Sequence, residues 1–236
     1  MVDSSAWVLH ANDVVAGYGN KAVIRGVSID LGAGEIVALI GHNGVGKSTL
    51  LKAVFGLIPL MSGTVKINGR EVTPSPNRLV HMGIGYVAQG HRIFTELSVL
   101  ENLRVAANVV KYDRRDARFD KVLGTFTALR TRMNQRAGTL SGGEQQMLAM
   151  ANCLLSEPRA ILVDEPSLGL GTTVVENMFV LLKELSQMGT AILIVEQRIR
   201  EVICLAHRFY LLKEGSVAFS GLTKEVNDES LRRMYL

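Results

Sequence analysis

This sequence has few cysteines, no long apolar run and no strong excess of one charge. Its 236 residues include two cysteines, Cys153 and Cys204, and neither has a second Cys at metal-ligand spacing. We therefore expect two buried free thiols, rather than a disulfide framework or a cysteine metal site. Nowhere do about 18 apolar residues run together, so no segment is expected to cross a membrane unaided. Met1–Leu9 carries Asp3 and no apolar core, unlike a signal peptide, and we expect a reducing cytoplasmic setting.

The small positive charge does not single out nucleic acid as a partner. Lys and Arg number 26 and Asp and Glu 22, a formal net charge of +4. The densest basic clusters, Lys111–Arg118 and Arg130–Arg136, alternate with Asp or polar residues, which is typical of a solvated helical face. A hydrophobic content of 47% with 20% charged residues is that of a soluble globular protein with a proper core. No nucleic-acid partner is expected.

Strand and helix patterns alternate along most of the chain. Strands are predicted over Val8–Tyr18, Val23–Leu31, Glu35–Ile40, Gly83–Gln89, Ala160–Asp164, Ala191–Val195 and Phe209–Leu212, with a hairpin over Gly63–Val72 turning at Asn68-Gly69. Helices are predicted over Lys47–Gly56, Thr173–Met188 and from Arg198, and an inserted helical segment between Val99 and about Leu155. Pro74-Ser75-Pro76 is expected to form only a local turn. This alternation favours an α/β fold with a largely parallel sheet and helices on both faces.

One motif stands between a predicted strand and a predicted helix. Gly41-His42-Asn43-Gly44-Val45-Gly46-Lys47-Ser48 matches the pattern G-x-x-x-x-G-K-[ST]. Glycines let successive backbone N–H groups turn inward around a phosphate, and the following helix adds its positive end. Lys47 can reach the β- and γ-phosphates, and the Ser48 hydroxyl can bind Mg²⁺. The alternative, a plain glycine turn with a surface lysine, does not account for the flanking strand and helix.

Two further motifs point to phosphate chemistry. The apolar strand ending at Asp164 and Glu165 places two acids at the sheet edge beside the loop, one suited to Mg²⁺ and one to polarising an attacking water. Alone this signal is weak, because strands often end in Asp.

Leu140–Gln146 (LSGGEQQ) has the capping-box spacing at Ser141 and Glu144, so it can be merely a capped helix start. Two glycines in a first turn nevertheless favour close backbone approach to an anion.

The string LSGGEQQ resembles the signature of the ABC ATPases, and other landmarks of that family follow in order across nearly the whole chain. Tyr18 matches the aromatic residue that stacks on adenine, Gln89 the glutamine that joins the nucleotide core to the helical part, and Ser167–Leu170 the loop after the acids. By resemblance, ATP is bound by Tyr18, Gly41, His42, Asn43, Gly44, Val45, Gly46, Lys47, Ser48, Thr49, Gln89, Ser141, Gly142 and Gly143. Mg²⁺ is held by Ser48, Gln89 and Asp164, and Glu165, Lys47 and Gln197 are catalytic.

The resemblance implies one ABC nucleotide-binding domain over residues 1–236. Its fold is that of a P-loop NTPase, a RecA-like parallel-sheet core with an antiparallel β subdomain and an inserted helical subdomain. Residues 1–90 and 156–236 form the core with the β subdomain, and 91–155 the helical subdomain that carries the signature. In this family two subunits sandwich two ATP molecules, so Ser141 and Gly143 would contact the γ-phosphate held by the other subunit.

Two departures from the family pattern narrow the subfamily. Gly171 stands where most members have Asp, and Gln197 where most have a switch histidine; an amide donates a hydrogen bond but carries no titratable proton. At both positions the sequence resembles that of the ATPases of branched-chain amino acid importers. The same resemblance extends to residues 89–94, 136–139 and the final Tyr235-Leu236. Asn43-Gly44-Val45 and residues 83–87 look closer to the urea and short-chain amide importers.

The resemblance also implies partners. We expect integral-membrane permease subunits, a second ATPase subunit in a head-to-tail dimer, and indirectly an extracytoplasmic solute-binding protein. The chain would then be a peripheral subunit on the cytoplasmic side of the inner membrane, docked through Gln89–Asn102, with Ile93, Phe94 and Leu97 as exposed apolar anchors. The alternative is that these three side chains pack under the helical insertion. An ABC ATPase of DNA repair or translation is disfavoured by the single phosphate loop and the absence of heptads. A regulatory member that binds ATP without hydrolysing it stays open, because of Gly171 and Gln197.

Overall fold

The computed structural model describes residues 7–90, 92–109 and 114–226. The predicted helical cluster Lys111–Arg118 lies partly outside these ranges, and the final Tyr235-Leu236 wholly so. Within them the strands are β1 (Trp7–Tyr18), β2 (Lys21–Gly32), β3 (Ile36–Gly41), β4 (Leu60–Ile67), β5 (Arg70–Val72), β6 (Ile84–Val87), β7 (Ala160–Asp164), β8 (Ala191–Val195), β9 (Arg208–Lys213) and β10 (Ser216–Leu222). The helices are α1 (Lys47–Phe55), α2 (Pro76–His81), α3 (Val99–Ala106), α4 (Arg115–Thr125), α5 (Thr127–Arg130), α6 (Gly142–Leu154), α7 (Thr172–Gln187) and α8 (Ile199–Leu205).

The strands form two sheets, as the sequence predicted. One sheet has six strands in the order β10-β9-β3-β8-β7-β6, parallel except for β10, which runs antiparallel to β9. The other is antiparallel, in the order β2-β1-β4-β5. The helices α3 to α6 lie between β6 and β7 in the chain. The α/β fold with a parallel core and an antiparallel sheet is therefore confirmed.

The strand β3 is buried along its whole length because it faces two cores. Ile36, Ala38 and Ile40 pack with residues of α3, α6 and α7, whereas Val37 and Leu39 pack with α1 and the antiparallel sheet. Successive side chains of a strand point to opposite faces, so a strand covered on both sides becomes continuously apolar. This explains the apolar run that the sequence shows before the phosphate loop.

Some elements differ from the sequence prediction. The expected turn at Pro76 begins the short helix α2, since a proline is accommodated at the first helical position, where no N–H is needed. Gly56 ends α1 in a left-handed conformation (φ 81°) instead of lying inside it. The strand β10 was not predicted; it is an edge strand with half-exposed residues and no alternating apolar signal. Cys204 was expected to be buried and is exposed, whereas Cys153 is partly buried.

A polar cluster joins the antiparallel sheet to the parallel core. The guanidinium of Arg208 on β9 forms an ion pair with Glu35 (Nε to Oε1 2.5 Å) and donates to the carbonyl of Asp30 over 3.0 Å. Its central carbon lies 5.2 Å from the ring centroid of Trp7, a cation–π contact. Before it, His207 accepts a hydrogen bond from the backbone N–H of Ile36 over 3.0 Å, so this histidine serves the fold.

Candidate ATP site

The loop 41–48 has the backbone that the motif predicts. Gly46 has φ 110°, and a Cβ there would lie 2.6 Å from a methyl of Ile24. A Cβ on Gly41 would lie 2.6 Å from the carbonyl oxygen of Leu212 on the neighbouring strand. Side chains at these two positions are therefore excluded by conformation and by space. The loop ends at the N-terminus of α1, which supplies unpaired N–H groups for an anion.

The side chain of Lys47 folds back over this loop. Its Nζ donates to the carbonyl oxygens of Gly41, at 2.7 Å, and His42, at 3.0 Å. Burial lowers the pKa of Lys47, while the nearby carboxylates of Glu165 and Asp164 act in the opposite direction. Two backbone carbonyl oxygens thus hold the ammonium group over the loop.

An oxygen pair suited to Mg²⁺ lies beside the loop. The Ser48 hydroxyl donates to Asp164 Oδ1 over 2.8 Å, and the Tyr86 hydroxyl donates to Asp164 Oδ2 over 3.2 Å. Burial raises the pKa of Asp164, and the two donated bonds oppose that shift. Mg²⁺ prefers oxygen ligands and usually keeps water and phosphate oxygens in its shell, so one hydroxyl and one carboxylate fit it. Within the described ranges, no group of three or more His, Cys, Asp or Glu side chains forms an all-protein metal cage.

The carboxylate of Glu165 is held by two amides from different loops. Its Oε2 accepts from Gln89 Nε2 over 2.8 Å and from Gln197 Nε2 over 2.7 Å. Asn43 Nδ2 lies 3.4 Å from Gln197 Oε1 and so orients that amide. The backbone of Glu165 is left-handed, with φ 45°, a conformation that costs a non-glycine residue free energy and clusters at functional sites.

The parallel sheet brings these residues together. The strands β3, β8, β7 and β6 are neighbours, and their carboxyl ends are followed by the phosphate loop, Gln197, Glu165 and Gln89. Ligands of such sheets bind at this edge. The arrangement can therefore hold a phosphate chain, a metal ion and a positioned carboxylate at one place.

The signature residues form a second, separate feature. Ser141 caps α6, with Glu144 N–H donating to Ser141 Oγ over 3.3 Å and the Ser141 hydroxyl donating to Glu144 Oε2 over 2.8 Å. The backbone N–H of Ser141, its hydroxyl and the Arg132 side chain keep the pKa of Glu144 below its usual value. Ser141 and Gly142 are exposed, whereas Gly143 is buried against Val174. Among the described residues, none of the hydrogen bonds of Ser141, Gly142 or Gly143 reaches the phosphate loop.

The remaining predicted residues are placed as follows. Tyr18 is the last residue of β1, and 53% of its surface is exposed. Its ring is therefore accessible for stacking, but its role in binding adenine stays a prediction. Thr49 is buried in the first turn of α1. Of the three apolar anchors, only Phe94 is clearly exposed, at 57%. Ile93 and Leu97 are half-buried, and Ile93 packs against the main core, so the expectation of exposed side chains was wrong for these two.

Sequence reasoning missed Tyr86 and Asn102. Tyr86 is paired in register with Leu162 of β7, which carries its hydroxyl to Asp164. Asn102 is 1% exposed on α3, and its amide makes three hydrogen bonds to the backbone of Phe94 and Ser98. For both residues, the only signal in the sequence was a polar group at a position where the strand or helix pattern favours an apolar residue.

Comparison with known proteins decides the family. The family described as ABC transporter matches residues 24–168. This chain belongs to the ABC transporter family. It is an ATP-binding cassette that hydrolyses ATP, and within the described ranges none of its helices has the length and apolar character to cross a bilayer.

Individual relatives differ in what they transport. The high-affinity branched-chain amino acid transport ATP-binding protein BraG of Pseudomonas aeruginosa is 40% identical over 201 residues, 85% of this chain and 86% of that protein. The lipopolysaccharide export system ATP-binding protein LptB of Haemophilus influenzae is 32% identical over 235 residues, 97% of each chain. A dimeric post-hydrolysis ATP-binding cassette bound to ADP and Pi superposes with a TM-score of 0.80 at 25% identity, covering 91% of this chain and 98% of that one.

Proposed function

We propose that this ABC ATPase energises an importer of branched-chain or other hydrophobic amino acids. The observation that carries the chemistry is Glu165, held by two amides beside the Ser48–Asp164 pair. The cargo rests on the 40% identity to BraG. Urea or a short-chain amide is the alternative cargo, because of the resemblance at residues 43–45 and 83–87. An ATP-binding regulator without transport is the alternative class.

The residues of the site divide the work of hydrolysis. Lys47 exchanges the carbonyl oxygens of Gly41 and His42 for the β- and γ-phosphate oxygens of ATP, and the backbone N–H groups of the loop complete the cradle. Ser48, Asp164 and Gln89 would hold Mg²⁺, which when bound would supply positive charge against the phosphates. Glu165 orients a water in line with the γ-phosphate and accepts its proton. Gln197 turns its amide from Glu165 towards the γ-phosphate and donates a hydrogen bond there.

A second ATPase subunit completes the site. Ser141 and Gly142 are exposed at the N-terminus of α6, where free N–H groups favour a phosphate. In a head-to-tail pair Ser141 and Gly143 contact the γ-phosphate held by the partner, and the dimeric relative supports the pairing of two subunits. Departure of the γ-phosphate then opens the pair, and this change of state drives the permease.

The permease docks beside the loop 92–98. Phe94 is 57% exposed there, and Arg92 of the same loop lines a groove of about 720 Å³ together with Val105 and Asn152, among others. Oδ1 of Asn152 is the one buried side-chain polar atom without a hydrogen-bond partner among the described residues. Exposed apolar surface with an unpaired acceptor suits a protein partner that brings a donor. The chain therefore works as a peripheral subunit on the cytoplasmic face of the membrane, and an extracytoplasmic solute-binding protein delivers the cargo.

Uptake in source cells tests this proposal. Cells carrying Lys47→Ala are compared with wild type for entry of labelled leucine and labelled urea, side by side. We expect leucine uptake alone to be lost. Loss of urea uptake with leucine entry intact would change the assigned cargo to urea or a short-chain amide. If neither changes, the proposed cargo class is wrong, and transport of another substrate, such as a lipid-linked saccharide, is then tested in the same cells.

A further inference from the structure

Glu196 is a buried acid that the chemistry above does not use. It directly follows β8, precedes Gln197 and is 1% exposed. Burying a carboxylate is costly unless hydrogen bonds or opposite charges compensate. Its hydrogen-bond partners therefore indicate what its burial maintains.

Three hydrogen bonds converge on this carboxylate from two loops. The backbone N–H of Ser167 donates to Oε1 over 2.9 Å, and the Ser167 hydroxyl donates to Oε2 over 2.7 Å. The backbone N–H of Gln197 donates to Oε2 over 3.0 Å. A carboxylate only accepts, so it satisfies all three donors, whereas the amide of a glutamine would set an NH₂ group against one of them. Ser167 is 6% exposed, so these bonds are shielded from water.

Both loops that Glu196 joins adjoin Glu165: one follows it in the chain, and Gln197 of the other donates to its carboxylate. Residues 166–171 come directly after Glu165, and Glu196 and Gln197 begin the loop after β8. Within 166–171, Gly169 and Gly171 have no side chain to anchor the loop, and Leu168 is 47% exposed. Leu170 is buried in the main core, so the loop has one apolar anchor and one buried polar anchor, Ser167, and Glu196 holds the polar one.

We propose that Glu196 is a positioning residue of the ATPase reaction. By holding Ser167 and the main chain of Gln197 together, it keeps the Gln197 side chain beside Glu165, from where the amide can turn to the γ-phosphate, and it ties residues 166–171 to Gln197. The proposal rests on the catalytic role given to Gln197 above. Glu196 itself touches no reacting atom, so its loss acts on kcat through Gln197.

Steady-state ATP hydrolysis by the full chain tests this. We expect Glu196→Gln to lower kcat about 10- to 100-fold, since small displacements of a catalytic group cost that much, with KM within about twofold of wild type. Gln197→Ala also lowers kcat, and Glu196→Gln adds no further loss in that background, because it acts through Gln197. The exposed acid Glu201 on α8 supplies the matched control, and Glu201→Gln keeps wild-type kcat.

A second variant covers the case in which Glu196→Gln does not fold. Ser167→Ala removes one donor and leaves the carboxylate in place; it lowers kcat about 3- to 10-fold in the wild-type background and not in Gln197→Ala. The proposal is overturned if the fold-losses in kcat of the single variants multiply in the double variants. It is also overturned if Glu196→Gln and Ser167→Ala both keep the wild-type kcat while Gln197→Ala is impaired. A wild-type kcat for Gln197→Ala instead refutes the role of Gln197, and with it the role of Glu196.

Discussion

Asn102 offers a sharp test of how residues 92–98, the proposed docking loop, are held. Its side chain is 1% exposed and holds residues 94–98 through three hydrogen bonds: Phe94 N–H to Oδ1 (2.8 Å), and Nδ2 to the carbonyl oxygens of Phe94 (2.9 Å) and Ser98 (2.9 Å). Asn102→Ala removes all three. At a net of about 1 kcal/mol each the loss would be about 3 kcal/mol, and water reaching the opened loop reduces it to about 2 kcal/mol.

That loss has a measurable size in thermal unfolding. For a chain of this length, about 2 kcal/mol corresponds to a fall in Tm of about 4–8 °C. Asn102→Asp keeps the acceptor for Phe94 N–H but sets a buried carboxylate against two carbonyl oxygens, so we expect a larger fall than for Ala. The exposed Asn108, just beyond α3, gives the matched control Asn108→Ala, with Tm within about 1 °C of wild type.

The same variant separates docking from hydrolysis. Because the three bonds hold residues 94–98 and not the cluster at the sheet edge, Asn102→Ala should hydrolyse ATP within about threefold of the wild-type rate as an isolated subunit. Co-purification with its permease should be lost, since Phe94 is no longer presented. An Asn102→Ala protein with wild-type Tm and wild-type permease binding would refute this account of the loop.

Three further predictions concern the base, the polar cluster and the thiols. Glu165→Gln should lower kcat about 10²- to 10⁴-fold at little change in KM, because the amide oxygen still accepts hydrogen bonds but takes no proton; equal phosphate release by both proteins would show that Glu165 is not the base. Arg208→Met should lower the free energy of unfolding by about 2–3 kcal/mol, because a partly buried ion pair is lost. It should also change the fluorescence of Trp7, the only tryptophan, because the cation–π contact is lost. An unchanged melting temperature with an unchanged fluorescence spectrum would contradict this prediction. At pH 8 an alkylating reagent should modify the exposed Cys204 and spare Cys153, because burial raises the pKa of the Cys153 thiol to about 12; mass spectrometry showing two adducts formed at equal rates would count against it.

The sequence predicted best where a single strand or loop carries its own signal. The buried strands β7 and β8 begin and end where their apolar runs do, because a strand covered on both faces needs an unbroken run. Gly41 and Gly46 indicated the phosphate loop, since their positive φ angles and close neighbours leave no room for a side chain. Elements at the rim, such as β10, were missed because a half-exposed edge strand needs no apolar pattern.

The parts that depend on distant contacts required the tertiary structure. The sequence by itself determined the two-faced sheet, the phosphate cradle and the acids at the strand end. Only the tertiary structure decided that Tyr86 meets Asp164, that Asn102 holds the loop of Phe94, and that Glu196 joins two loops. The physical reason is that a polar residue needs a partner when it is buried, and the partner is chosen by strand order and packing rather than by neighbours in the chain.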